Sequence, residues 1–166
     1  PLSRVLLHEM LQKQGVDEET AYTAASLAAG SFGRALELLR PEVMEKRQDA
    51  LQFFQKLSQI SLTDVWKESQ RLGAFSREEI QEFFSWQNML LRDLLVFKSR
   101  AARDRLYNPD QTDVLESLTE EWSMTALFAA LEGVKTLQTR LASNANVKLL
   151  IEQFLLKISD RKEEAL

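Results

Sequence analysis

The sequence predicts an all-α protein. Apolar residues recur with a period near 3.6 through almost every segment. Residues that favour helix starts stand just ahead of these apolar runs. Only five Gly and three Pro punctuate 166 residues, so turns are few. No stretch alternates with period 2, and no sheet is expected.

The elements follow in order. Ser3 is placed as an N-cap, with Leu2 and Leu7 as a hydrophobic staple, and the helix runs to Gln14 with Gly15 as its stop. Asp17 caps a second, alanine-rich helix whose acidic Glu18 and Glu19 suit its positive end; it stops at Gly30. Ser31 caps a third, short helix that ends near Arg40. Pro41 is well placed at the first position of a longer helix, which carries Val43, Ala50, Phe54 and Leu57 on one stripe and reaches about Gln59. Ser61 or Thr63 opens a helix with Val65, Trp66 and Leu72, closed by Gly73. Ser76-Arg77-Glu78-Glu79 reads as a capping box that launches the longest helix, through Leu90, Leu94 and Lys98 to Ala101. Asn108-Pro109-Asp110 is a turn. Thr112 or Asp113 starts a helix to about Glu121, and Ser123 one through Leu127, Leu131, Val134 and Leu141. Asn144 is placed as the cap of a last helix, Ala145 to about Ser159, whose apolar residues cover more than one face. The expected organisation is a small three-helix module over residues 1–41 and a bundle of about five helices over residues 42–166, parted where Pro41 stands and the helices lengthen.

Composition removes several classes of function. The chain has no Cys and one histidine, His8, which argues against disulfides, a zinc site or a histidine relay. Paired carboxylates such as Glu78-Glu79 and Glu120-Glu121 fall in first turns or loops, not in an acid–base dyad. The formal net charge of −4 speaks against unaided DNA binding. The basic cluster Lys98, Arg100, Arg103 and Arg105 is the best site for DNA or an acidic partner, but it also suits a solvated helix C-terminus. Neither a membrane span nor a secretory leader is legible, so a cytoplasmic placement is expected. The opening Pro1-Leu2-Ser3, without Met, reads as the start of a fragment.

Two motifs carry a family resemblance. The segment "AAGSFGRALELLRP" (28–41), with its Gly-Ser-x-x-x-Ala-Leu helix third in the module, resembles the lid subdomain of clamp-loader AAA+ subunits. The segment "LQTRLASNANVKLLIEQFLLKI" (137–158) resembles the C-terminal motif of the delta prime subunits of bacterial DNA polymerase III, where a leucine helix leads through Asn-x-Asn into another. "PLSRVLLHEMLQKQG" at the start resembles the stretch that follows the ATPase core in that family. Residues 42–136 match only in helical texture.

The resemblance implies a lid followed by a collar that assembles with delta and tau/gamma subunits, and so, indirectly, loading of the sliding clamp on primed DNA. With the ATPase core outside the chain, it implies no catalysis, no cofactor and no metal. Active relatives resemble Gly-Ser-x-Arg-Asp-Ala-Leu in the sensor-2 region, here Gly30, Ser31, Gly33 and Arg34. Gly33 stands in the arginine slot, and Arg34, one place on, is turned by about 100°. Arg34 then touches a nucleotide, a neighbouring subunit or only solvent. Gly30 and Gly33 serve phosphate approach, or a helix stop and packing. Asn144 and Asn146 mark a subunit contact, or a cap and a first-turn polar residue. Leu149, Phe154 and Leu156, with Phe83 and Leu90, are the candidates for an exposed seam. Trp66, Trp86 and Trp122 are expected in the core, or one of them at an interface. The rivals are a tau or gamma fragment, which Gly33 disfavours, and a helical ligand-binding regulator with a pocket of Phe53, Phe54, Phe83 and Trp86.

Overall fold

Helices begin where short polar side chains can accept an otherwise unpaired backbone N–H. The computed structural model describes residues 1–100, 103–143 and 145–163, without the side chains of residues 103 and 161–163. Among the described residues there are nine α-helices, two short 3-10 turns and no strand, so the all-α expectation holds. Ser3, Asp17 and Ser31 cap α1 (Arg4–Lys13), α2 (Glu18–Leu27) and α3 (Phe32–Glu37). Pro41 is the first residue of α4 (Pro41–Leu57). Ser61 and Ser76 open α5 (Leu62–Gly73) and α6 (Arg77–Lys98), each with a reciprocal capping box, through Asp64 and Glu79. The hydrogen bonds of each box hold its carboxyl below the usual range, Asp64 first through the Ser61 hydroxyl and Glu79 first through the Ser76 N–H. Turns at Arg103–Arg105 and Pro109–Gln111 lead to α7 (Thr112–Leu118); α8 (Met124–Leu141) and α9 (Val147–Glu163) follow.

Most boundaries shift by a turn or less. The third helix ends at Glu37, the sixth at Lys98 and the seventh at Leu118, all short of their expected ends; the expected end at Ala101 lies outside the described residues. The last helix starts at Val147, two residues later than expected. Its cap is Asn146, whose Oδ1 accepts from the Leu149 N–H at 3.1 Å. This corrects the cap placed at Asn144, a residue outside the described ones.

α6 is the axis of the packing. It lies against α4, α7 and α8, while α9 packs on α5 and α8. Because neighbours surround it, α6 buries Ile80, Phe83, Phe84, Trp86, Leu90, Leu91 and Leu94, far more than one stripe. Phe84 is fully buried and meets Phe83 and Phe154 edge to face, with ring centroids 5.6 and 5.3 Å apart. Buried Gln87 donates to the Ala50 carbonyl at 2.7 Å and ties α6 to α4. α1, α2 and α3 pack on one another. Arg4 joins them to the rest by donating to the Leu106 and Asp104 carbonyls.

The two glycines of the 28–41 segment differ in role. Gly30 has φ +88°, follows Ala29 at φ 50°, and accepts from the Leu2 N–H at 2.9 Å. A Cβ there would lie 2.5 Å from the Pro1 Cβ. Gly30→Ala is therefore expected to lower stability by roughly 1–3 kcal/mol. Gly33 has open space around its Cβ position, with only the Ser31 Oγ at 4.0 Å. Gly33→Ala is expected to raise stability by up to about 1 kcal/mol. Thermal melts of the two variants should move in opposite directions.

Candidate functional site

Arg34 is neither free nor directed at an open site. Its guanidinium donates to Glu37 at 3.1 Å and to Glu82 at 3.0 Å, and it lies 5.2 Å over the Trp86 ring. It fastens α3 to α6. Ser31 is spent capping α3, and Gly30 on the approach of Pro1. Gly30, Ser31 and Arg34 thus have structural work within the chain. Only Gly33 lacks a packing reason.

The turn between α8 and α9 is held from a distance. Arg77, the first residue of α6, donates through Nη1 to the carbonyls of Leu141 and Ser143 at 2.8 and 3.0 Å, and through Nη2 to that of Ala145 at 2.9 Å. The Leu141 carbonyl is one that a helix C-terminus leaves unpaired; those of Ser143 and Ala145 belong to the turn itself. The clamp escapes sequence reasoning because Arg77 looks like an ordinary first-turn residue of a capping box. Asn146 is exposed and acts as the cap described above.

The proposed apolar seam divides. Phe154 is 4% exposed, with its ring edge against Phe84 and close beneath Gly133. Phe83 and Leu90 are buried in the same core. These three are core residues, because α6 and α9 turn that face inward. Leu149 and Leu156 are exposed, at 51% and 39%. They stand seven residues apart on one face of α9. The α5 helix adds Leu62 and Trp66, 66% and 61% exposed and four residues apart. Ser69 bonds to Glu152 at 3.3 Å, and Gly73 lies against Lys148. This antiparallel register sets Trp66 beside the turn of α9 that holds Leu156. Sequence reasoning set Trp66, Trp86 and Trp122 in the core, or one of them at an interface, without saying which. The four-residue step to Leu62 was the available signal, since Val65, Ser69 and Leu72 make the buried stripe. Further exposed apolar side chains are Val5 and Leu6 on α1, and Met124 and Phe128 on α8.

Of the basic cluster, Arg100 and Arg105 are exposed, and the Arg103 side chain lies outside the described ones. Lys98 donates to the Thr119 carbonyl at 2.7 Å and closes the end of α7. Arg92 sits 4.4 Å over the Tyr107 ring and bonds to the Arg105 carbonyl. Trp86 and Trp122 are buried; Trp66 is not. Of the residues expected to line a regulator's pocket, Phe83 and Trp86 line a cleft between α4 and α6; Phe53, Phe54, Phe83 and Trp86 are each 4% exposed or less, and Phe53 and Phe83 pack edge to face at 5.2 Å. Among the described residues no His, Asp and Glu side chains group as a metal site. No described helix is long and apolar enough to cross a membrane.

The described residues form an all-helical bundle with exposed apolar side chains on two adjoining helices, α5 and α9. Residues 41–160 match the family model described as DNA polymerase III, delta subunit, C terminal. The match covers well over half the chain, and the chain belongs to that family: it is the C-terminal domain of a delta-type clamp-loader subunit of DNA polymerase III. The description names delta where the sequence motifs resemble delta prime. No curated protein and no solved structure matches the chain.

Proposed function

We propose that this chain is the lid and collar of a delta-prime-type subunit and that it docks against sister subunits through the outer face of α5 and α9. Residues 1–41 form the lid in this reading, and residues 42–166 the collar. The partners are delta and tau/gamma, acting in the cytoplasm to load a sliding clamp on primed DNA. The chain contributes shape and apolar surface, and no chemistry. The observation that carries the reading is the exposure of Leu62, Trp66, Leu149 and Leu156 on two adjoining helices. Large side chains left in water at this density mark an interface. Asn146, next to the Ala145 carbonyl that Arg77 holds, caps the helix that carries this face. Gly33 in place of the sensor-2 arginine supports delta prime over tau or gamma.

Competition tests the finer assignment. The chain, mixed with purified delta, delta prime and gamma subunits, should co-migrate with gamma on size-exclusion chromatography and displace delta prime from the assembly. Displacement of delta instead assigns the chain to delta. Indifference to every subunit removes the docking reading.

A further inference from the structure

The segment that joins α5 to α6 meets the start of α9 at both of its ends. Gly73 closes α5, and a Cβ placed there would lie 3.2 Å from the Lys148 Cβ and 3.6 Å from its Cα. Arg77 opens α6 and takes the carbonyls of Leu141, Ser143 and Ala145 at 2.8, 3.0 and 2.9 Å. Ala145 stands two residues before α9 begins at Val147, and Lys148 is the second residue of that helix. The two contacts therefore grip the helix start, one just before it begins and one just after.

The arginine grip is directional. A guanidinium carries its N–H groups in a rigid planar fork, whereas an ammonium is a single rotatable point. Here the fork spans three carbonyls, from the end of α8 to the edge of α9, so it sets where the turn lies over α6. Asn146 follows the held Ala145 carbonyl directly. Its Oδ1 accepts from the Leu149 N–H at 3.1 Å, and its own carbonyl accepts from the Leu150 N–H at 3.0 Å. Leu149 thus stands one cap away from the grip, and its side chain is 51% exposed on the outer face of α9. Leu156 lies about two turns further on, and Leu62 stands at the opposite end of α5 from Gly73. We propose, on the strength of the α5–α9 docking reading, that Arg77 is a positioning residue for that face. Through the held turn it fixes the place of Leu149, and it leaves that of Leu62 untouched.

The test compares the parent chain with Arg77→Gln. In the isolated variant the Leu149 and Leu150 amides should exchange faster with solvent, and the Leu155 amide should not. Binding to purified gamma subunit, followed by calorimetry, should weaken roughly three- to tenfold. In a chain that already carries Leu149→Ala, adding Arg77→Gln should cost less than it does alone, because the displaced leucine is gone. With Leu62→Ala the two losses should multiply. A residue that only stabilised the fold would lower the melt and leave the affinity of the folded chain, and these couplings, unmoved. Arg77→Lys, which keeps the stem and the charge, takes the place of the Gln variant should that one melt below the assay temperature. Unchanged exchange, equal affinity, or losses that multiply with Leu149→Ala as they do with Leu62→Ala would overturn the proposal and leave the docking reading in place. A parent chain that binds no gamma overturns that reading, and the role of Arg77 with it.

Discussion

Replacing Arg47 with Met is expected to lower stability by about 3–5 kcal/mol, nearer the lower figure because Asp110 keeps some contact with solvent. Arg47 is 6% exposed on α4. It grips Asp110 with two bonds of 2.7 and 2.8 Å, and the Asn108 Oδ1 with Nη2 at 2.8 Å and Nε at 3.3 Å. Asn108 in turn donates its backbone N–H and its Nδ2 to Asp93 of α6, at 2.7 and 2.8 Å, and Tyr107 donates its N–H at 2.9 Å. One buried chain of bonds thus pins the segment before α7 to both α4 and α6. Methionine fills the space but takes the Arg47 bonds from the buried Asn108 Oδ1 and from the Asp110 carboxylate, which keeps the Gln111 amide at 2.8 Å. A fall in the denaturant midpoint at unchanged slope is the expected reading.

The same cluster gives a pH dependence with a definite sign. Burial alone would raise the Asp110 pKa; the hydrogen bonds and charge of Arg47 prevail and lower it. A carboxyl with a depressed folded pKa contributes stability above its unfolded pKa, and that contribution is lost as pH falls through the folded value. Burial raises the Asp93 pKa against the lowering bonds from Tyr107 and Asn108, so its effect on stability runs the other way. In Arg47→Met the Asp110 contribution should vanish. The variant's deficit should then be largest near neutral pH and shrink toward acid.

Phe84→Ala is expected to cost about 3–5 kcal/mol. Phe84 is fully buried at the centre of α6 and touches Phe83 and Phe154 by their ring edges. Its loss opens a cavity where α6, α8 and α9 meet, in a place that fixed helices cannot collapse to fill. Because Phe154 leans on it, amide exchange along α9 should rise more than along α1–α3. Phe84→Leu should recover a good part of the loss.

Helix starts were legible because a cap is local: Ser3, Asp17, Ser31, Ser76 and Ser123 each need only an N–H three residues away. Helix ends were less so: α7 stops at Leu118, where the Thr119 carbonyl takes its bond from Lys98, 21 residues back in the chain. Phe154 and Leu156 lie two apart in one leucine-rich run; periodicity identifies the helix but not which flank its neighbours occupy. α9 has two neighbours, so its buried arc is wide, and Phe154 falls inside it. Arg34 was left open between a nucleotide, a neighbouring subunit and solvent, and Arg47 and Arg77 carry no signal of their own, yet each is a tertiary tie whose partners stand 48, 63 and up to 68 residues away. Such pairings leave no mark in local spacing.

The central claim is that α5 and α9 present a docking face. A Trp66→Glu/Leu156→Glu double variant, titrated against purified gamma and delta subunits by calorimetry, tests it directly. Trp66 is 61% and Leu156 39% exposed, and neither belongs to the buried core, so the isolated variant should unfold as cooperatively as the parent. It should bind its partner subunits about 100-fold more weakly or not at all. Binding as tight as the parent's would contradict the account.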